Sequence, residues 1–171
     1  MALKNFFLNL QTKKALINNK SERKSTPYNQ SNQFGILFTS ENEEKAAQIR
    51  QFGKELVEAG KAVQILEFIP KVKKNMVTSG FPSFTIKEVS LLGKIQNAEE
   101  ENFVKSAFDY LYLADQDLHP VVLNVLARSH AKCRVGQHAN GRTPFLDLLI
   151  QMPGSIDALL REMLTYTKKL S

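Results

Sequence analysis

The chain predicts an α/β fold, a three-layer sandwich around a mostly parallel sheet of about four to six strands, with an amphipathic helix at its N-terminus. Two observations carry this expectation. Phe34-Gly35-Ile36-Leu37-Phe38-Thr39 and Tyr110-Leu111-Tyr112-Leu113-Ala114 are short, nearly continuous apolar runs, the pattern of strands covered on both faces. Each is followed by a segment of helical periodicity and then by a second apolar run, so the chain contains two strand–helix–strand units.

The elements follow in order. MALKNFFLNLQTKKALINNK has helical spacing, with Leu3, Phe6, Phe7, Leu10 and Ile17 on one side, Lys4 on the other, and Lys13 and Lys14 near the boundary. Lys20 to Gln33 is polar and contains Pro27, the composition of a flexible connector. After the strand Phe34–Thr39, Ser40 suits an N-cap, with Glu41, Glu43 and Glu44 where negative charge favours a helix start. Ala46, Ile49, Phe52, Leu56 and Val57 form the apolar face of this helix, which stops near Gly60. Ala62 to Ile69 is the next strand, ended by Pro70. Lys71 to Pro82, with Lys71, Lys73 and Lys74, is a basic loop, solvated or in contact with a phosphate. Phe84-Thr85-Ile86 suggests a short edge strand, and Asn97 or Ala98 through Ala107 a helix.

The second unit, Phe108 to Gly136, holds most of the chemically versatile residues. Its strand leads into the loop Asp115-Gln116-Asp117-Leu118-His119, and Pro120 fits the first turn of a helix running to Ala131. Cys133-Arg134-Val135 is a strand. Phe145 to Met152, bracketed by Pro144 and Pro153, is a final strand whose short connector allows it to run antiparallel. Ser155 caps a last helix, Ile156 to Leu170, with Lys168 and Lys169 at its favourable end.

Residues 1–33 therefore separate from a single α/β domain at 34–171. Charge divides the same way. The first 33 residues carry six basic side chains against Glu22, while the remaining 138 hold 17 basic and 16 acidic ones. A basic, greasy front end on a neutral body points to a partner of the front end. Lys4, Phe6, Phe7, Leu10, Lys13 and Lys14 would contact an anionic membrane surface, RNA or the ribosome, or another protein. The helix would otherwise pack on its own domain or pair in a homodimer. No run approaches the length of a membrane span, and the lone Cys133 fits a reducing cytoplasm.

Ligands of open α/β sheets gather beyond the carboxyl ends of the strands. Ser40, Asp115, Asp117, His119 and His138 are the candidates there, as a small-ligand site. A polar loop whose aspartates cap the next helix explains Asp115 and Asp117 equally. The first loop, Thr39-Ser40-Glu41-Asn42, lacks the glycine and lysine signatures of nucleotide folds, and no cofactor, metal or catalytic residue is expected.

The order FGILF, AGKAVQILEFI, FPSFTIKEVSLLGKI, FDYLYLAD, SHAKCRVG and FLDLLIQM resembles a family of short bacterial proteins carrying a domain of unknown function. The resemblance implies a Rossmann-like α/β domain and no catalytic residue. FDYLYLAD…VLNVLARSHAKCRVGQ is similar, more faintly, to the acceptor-side half of heptosyltransferase-type glycosyltransferases. The leading expectation is a binding or adaptor module docked through its basic N-terminal helix at the inner membrane face or on another partner. The alternative is a small-ligand-binding or glycosyltransferase-like domain.

Overall fold

The computed structural model describes residues 2–72, 79–141, 143–151 and 154–170. Its elements are α1 (Ala2–Asn18), β1 (Gln33–Thr39), α2 (Glu43–Glu58), β2 (Ala62–Ile69), β3 (Ser83–Thr85), α3 (Ala98–Lys105), β4 (Tyr110–Leu113), α4 (Pro120–Arg128), β5 (Cys133–Gln137), β6 (Leu148–Ile150) and α5 (Ile156–Lys169). A single 3-10 turn, Ile86–Glu88, follows β3. The sheet runs β3-β2-β1-β4-β5-β6, and every paired neighbour is parallel. That is the order of a doubly wound sheet, whose direction of winding reverses between β1 and β4.

Side-chain alternation divides the sheet between two cores. Phe34, Ile36 and Phe38 of β1 and Tyr110 and Tyr112 of β4 meet Ile49, Phe52 and Leu56 of α2 and Leu159, Leu160 and Met163 of α5. Leu37, Leu111 and Leu113 point the other way, onto Val121, Val122 and Val125 of α4 and Phe103 of α3. Gly35 faces that second side too, and carries no side chain there because the Phe108 ring fills the space, 2.8 Å from an ideal Cβ.

The final strand is a correction. It pairs with β5 in parallel, Val135 opposite Leu148 and Gln137 opposite Ile150, not antiparallel. The crossover is made without a helix. Phe145 and Leu146, whose apolar character suggested strand, pack into the core on the α4 side, and β6 itself is only Leu148–Ile150. Arg134 anchors the crossover, its Nε 2.8 Å from Asp147 Oδ2 and its backbone N–H donating to the same oxygen. Lys73, Lys74, Met152 and Pro153 lie outside the described residues.

The N-terminal helix belongs to the body. Helix α1 packs on α4, and Leu8, 1 % exposed, completes the core on that side. Asn124 Nδ2 of α4 donates to Thr12 Oγ1 at 3.0 Å, and Thr12 donates to Leu8 O. Gly93 has φ +74° and sits so close to α1 that a Cβ there would lie 2.5 Å from Leu8 N, which reserves the position for glycine. The stretch after α1 is polar, as a connector would be, but its polar groups are committed. Asn19 Nδ2 donates to the Ala127 and Ser129 carbonyls, Arg23 to those of Ser129 and Ala131, and the Tyr110 hydroxyl to Thr26 O. Lys24 N–H donates to Lys132 O. The segment expected to be flexible is laid along the end of α4 and the start of β5.

Candidate functional site

The switch point between β1 and β4 is where a doubly wound sheet opens a crevice. Here the protein fills it. Asp115, 1 % exposed, accepts from Thr39 N–H at 2.8 Å, from Thr39 Oγ1 at 2.7 Å and from Lys45 Nζ at 2.7 Å. Lys45 is itself buried and also pairs with Glu41. Buried charge is tolerated only when paired and hydrogen-bonded, and this carboxylate and ammonium satisfy each other. Asp115 thus locks the ends of β1 and β4 to the start of α2.

The other strand-end candidates do not join it. Asp117 is exposed in the loop. His119, not an aspartate, caps α4. Its Nδ1 accepts from Val121 N–H at 3.2 Å, and its ring stacks at a tilt 4.7 Å from Phe68. Burial pushes its imidazole below the ordinary value, opposed by the charge of Asp115. His138 is exposed beside β6, its N–H donating to Ile150 O. Asn42 rather than Ser40 caps α2, accepting from Lys45 N–H. Ser40 lines a cavity of about 340 Å³ with Glu41, Asn42, Glu67, Lys71 and Ser79. Glu67 is buried at its wall and accepts from the Ser79 hydroxyl. Among the described residues, no three His, Cys, Asp or Glu side chains gather to share a metal ion. Cys133 is buried, and burial pushes its thiol up to about 12, far from a nucleophile's range.

Lys45 was missed in the sequence, though a signal existed. It continues the buried stripe Ile49, Phe52 and Leu56 by one turn. A lysine on an apolar stripe calls for an internal carboxylate.

The surface of α1 is different. The face with Leu3, Phe6, Leu10 and Ile17 points outward, and these side chains are 63, 62, 54 and 71 % exposed. The face that packs inward carries Leu8, Thr12, Ala15 and Leu16. Helix α1 therefore has apolar residues on two opposite sides, and burial on its own domain accounts for only one. Phe7 is half-buried at the edge, its ring 5.5 Å from Phe6. Lys4 folds back to donate to Ile86 O at 2.8 Å, while Lys13 and Lys14 are exposed. The turn that ends at Gly93 lies against the Phe7–Leu8 backbone and places Leu91 and Leu92 beside the first half of the helix, both exposed. Of the nine large apolar side chains exposed among the described residues, six are on α1 and this turn, so the exposed grease is concentrated rather than scattered.

Residues 4–170 match the model of a family of unknown function, DUF6913. The chain belongs to that family. The match begins within α1 and ends one residue past α5, so the N-terminal helix is part of the DUF6913 unit. No curated protein and no solved structure matches the chain, and the glycosyltransferase likeness draws no support from either comparison.

Proposed function

We propose that this DUF6913 protein is a docking module for an anionic membrane surface, bound peripherally through the outer face of α1 and the Leu91–Leu92 turn. The observation that carries this reading is the outward stripe Leu3, Phe6, Leu10 and Ile17 flanked by Lys13 and Lys14. A helix of this kind lies in the interface plane, its apolar side chains among the acyl chains and its lysines among anionic headgroups. Each Phe or Leu that leaves water contributes about 1.5–3 kcal/mol, and each lysine near such a surface about 1 kcal/mol. Among the described residues no helix is long and apolar enough to cross a membrane, so the mode is lying on the surface.

Two other partners of the same face fit less well. RNA is held by stacking on aromatic rings and by phosphate contacts, yet the exposed stripe is aliphatic apart from Phe6. A second copy would bring the same patch against itself, adding lysines to lysines on a helix that carries no carboxylate of its own.

Vesicle sedimentation tests the proposal. The full chain should partition onto phosphatidylserine-containing vesicles, less so at high salt, and weakly onto pure phosphatidylcholine. The double variant Phe6→Ser, Leu10→Ser should lose the partition with its fold intact. Equal binding by that variant, or a dimer in light scattering that it dissolves, would overturn the membrane reading.

The cavity at Ser40 favours a second reading, a small-ligand site beyond β1 and β2. Among the described residues that line it, the carboxylates Glu41, Glu43 and Glu67 outnumber Lys71, which suits a cationic or hydroxyl-rich ligand rather than a phosphate. Protection of the Ser40 and Asn42 amides by a polyamine, in hydrogen exchange, would support it; an unchanged pattern would not.

A further inference from the structure

A second surface lies on the flank of α1, about a quarter turn from the apolar stripe. Between α1, α3 and α4 run two cavities of about 590 and 550 Å³ that share Ala15, Asn18 and Arg128. Lys14 and Lys94 line the first, and Lys20 and Lys105 the second. Among the described residues on these walls the one carboxylate, Glu101, is already bound by Lys105 at 2.6 Å.

Arg128 stands where the two cavities meet, and its guanidinium is held from behind. Nη1 donates to Glu100 Oε1 at 2.7 Å and to Asn124 Oδ1 at 3.4 Å. Glu100 is fully buried, whereas the arginine side chain is 31 % exposed. The inward bonds all leave from Nη1, so among the described residues Nε and Nη2 have no hydrogen-bond acceptor. A planar fork with one corner pinned and two donors available is the arrangement that grips a phosphate through paired bonds.

We propose that this groove is a binding site for a phosphate group carrying more than one negative charge, gripped by Arg128 and flanked by Lys14, Lys94, Lys20 and Lys105. The excess of cations over carboxylates on its walls selects a phosphomonoester or pyrophosphate over a singly charged diester. The donor could be a soluble compound or the headgroup of a phosphomonoester lipid. The site uses the flank of α1 and not its apolar stripe, and shares only Lys14 with the membrane-facing surface.

Titration of the full chain with inorganic pyrophosphate, followed by amide NMR, tests the proposal. Saturable shifts are expected at Asn18, Lys94–Ile95 and Arg128. Arg128→Gln should weaken binding about ten-fold or more, as loss of charge-assisted hydrogen bonds does. Because that change leaves Glu100 buried without its cation, Arg128→Gln with Glu100→Gln and, separately, Lys14→Glu with Lys94→Glu provide variants that do not depend on a stranded carboxylate. Both should lose affinity. Absence of saturable binding, or affinity within two-fold of the parent in both double variants, would overturn the site.

The source of the phosphate is read in a second arm, on phosphatidic acid vesicles. Competition by pyrophosphate for vesicle binding would assign the groove to a lipid headgroup, and pyrophosphate binding without competition to a soluble compound. The Phe6→Ser, Leu10→Ser variant should retain pyrophosphate affinity even where vesicle binding is lost, which separates failure of one proposal from failure of the other.

Discussion

The crevice at the ends of β1 and β4 and the outer layer formed by α1 put lysine to opposite uses. In the crevice, Asp115, Thr39 and Lys45 are buried and bonded to one another. On α1, leucines, a phenylalanine and lysines of the same basic chain stand in solvent. Topology makes the first place the expected ligand site, but chemistry already satisfied inside the protein has little left to offer outside. The groove beside α1 has the reverse property, since Arg128 is fixed by one corner and open at the others. What a surface can bind depends on which of its groups the fold has left uncommitted.

The contrast breaks most sharply at Lys45. Lys45→Met removes the cation from a carboxylate that has no access to water, and the expected loss is about 3–5 kcal/mol, read from urea unfolding at neutral pH. Lys45→Met combined with Asp115→Asn should recover much of it, since a neutral amide can still serve Thr39. A loss under about 1 kcal/mol would mean that solvent reaches Asp115, and the crevice would then count as open.

The two faces of α1 supply the next test. Leu8→Ala opens a cavity against α4 and should cost about 2–5 kcal/mol in the same unfolding experiment. Leu10→Ser, two residues on, should leave stability within about 0.5 kcal/mol and show its effect in vesicle partition instead. Equal destabilisation by both would mean that the outer stripe is covered by something within the folded protein.

Much of this was legible in the sequence. The strands around Phe34–Thr39 and Tyr110–Leu113 and the helices after them stood out because a strand buried on both faces has no polar interruption, and helices beside it show a stripe. The apolar outer face of α1 was visible too, as Leu3, Phe6, Leu10 and Ile17. Which way it pointed was not, because Leu8 and Leu16 give the same helix a second apolar side, and only the partner α4 decides between them. The direction of β6 was hidden for a related reason. Phe145 and Leu146 are as apolar as a strand requires, but they serve a crossover that has no helix to announce it. At the switch point, Asp115 was singled out for chemistry because its partner lies 70 residues away in sequence. Arg128 gave no signal beyond a charge near a helix end, for the groove it commands exists only when α1, α3 and α4 are brought together.

Asp109 offers the mildest and most selective test of how firmly the polar groups of the body are committed. Its carboxylate accepts from Asn32 N–H at 2.8 Å, from Gln33 N–H at 3.0 Å and from Lys132 Nζ at 2.8 Å, tying the stretch after α1 to the heads of β1 and β5. Burial pushes its carboxyl up, but the Gln33, Lys132 and Asn32 donors together outweigh burial and hold it below the ordinary aspartate value. The unfolded chain therefore binds this proton more readily than the folded one, and stability rises with pH across that interval. The contribution is complete above the unfolded value near about 3.9 and is lost as pH falls through the lower folded value. Asp109→Asn should cost about 1–2 kcal/mol at neutral pH and flatten the acid limb of the stability profile, so that parent and variant converge once both side chains are uncharged. A difference that persisted unchanged into that acid range would assign the role of Asp109 to shape rather than charge, and leave the junction between α1 and the sheet to packing and to the Asn19, Arg23 and Thr26 hydrogen bonds.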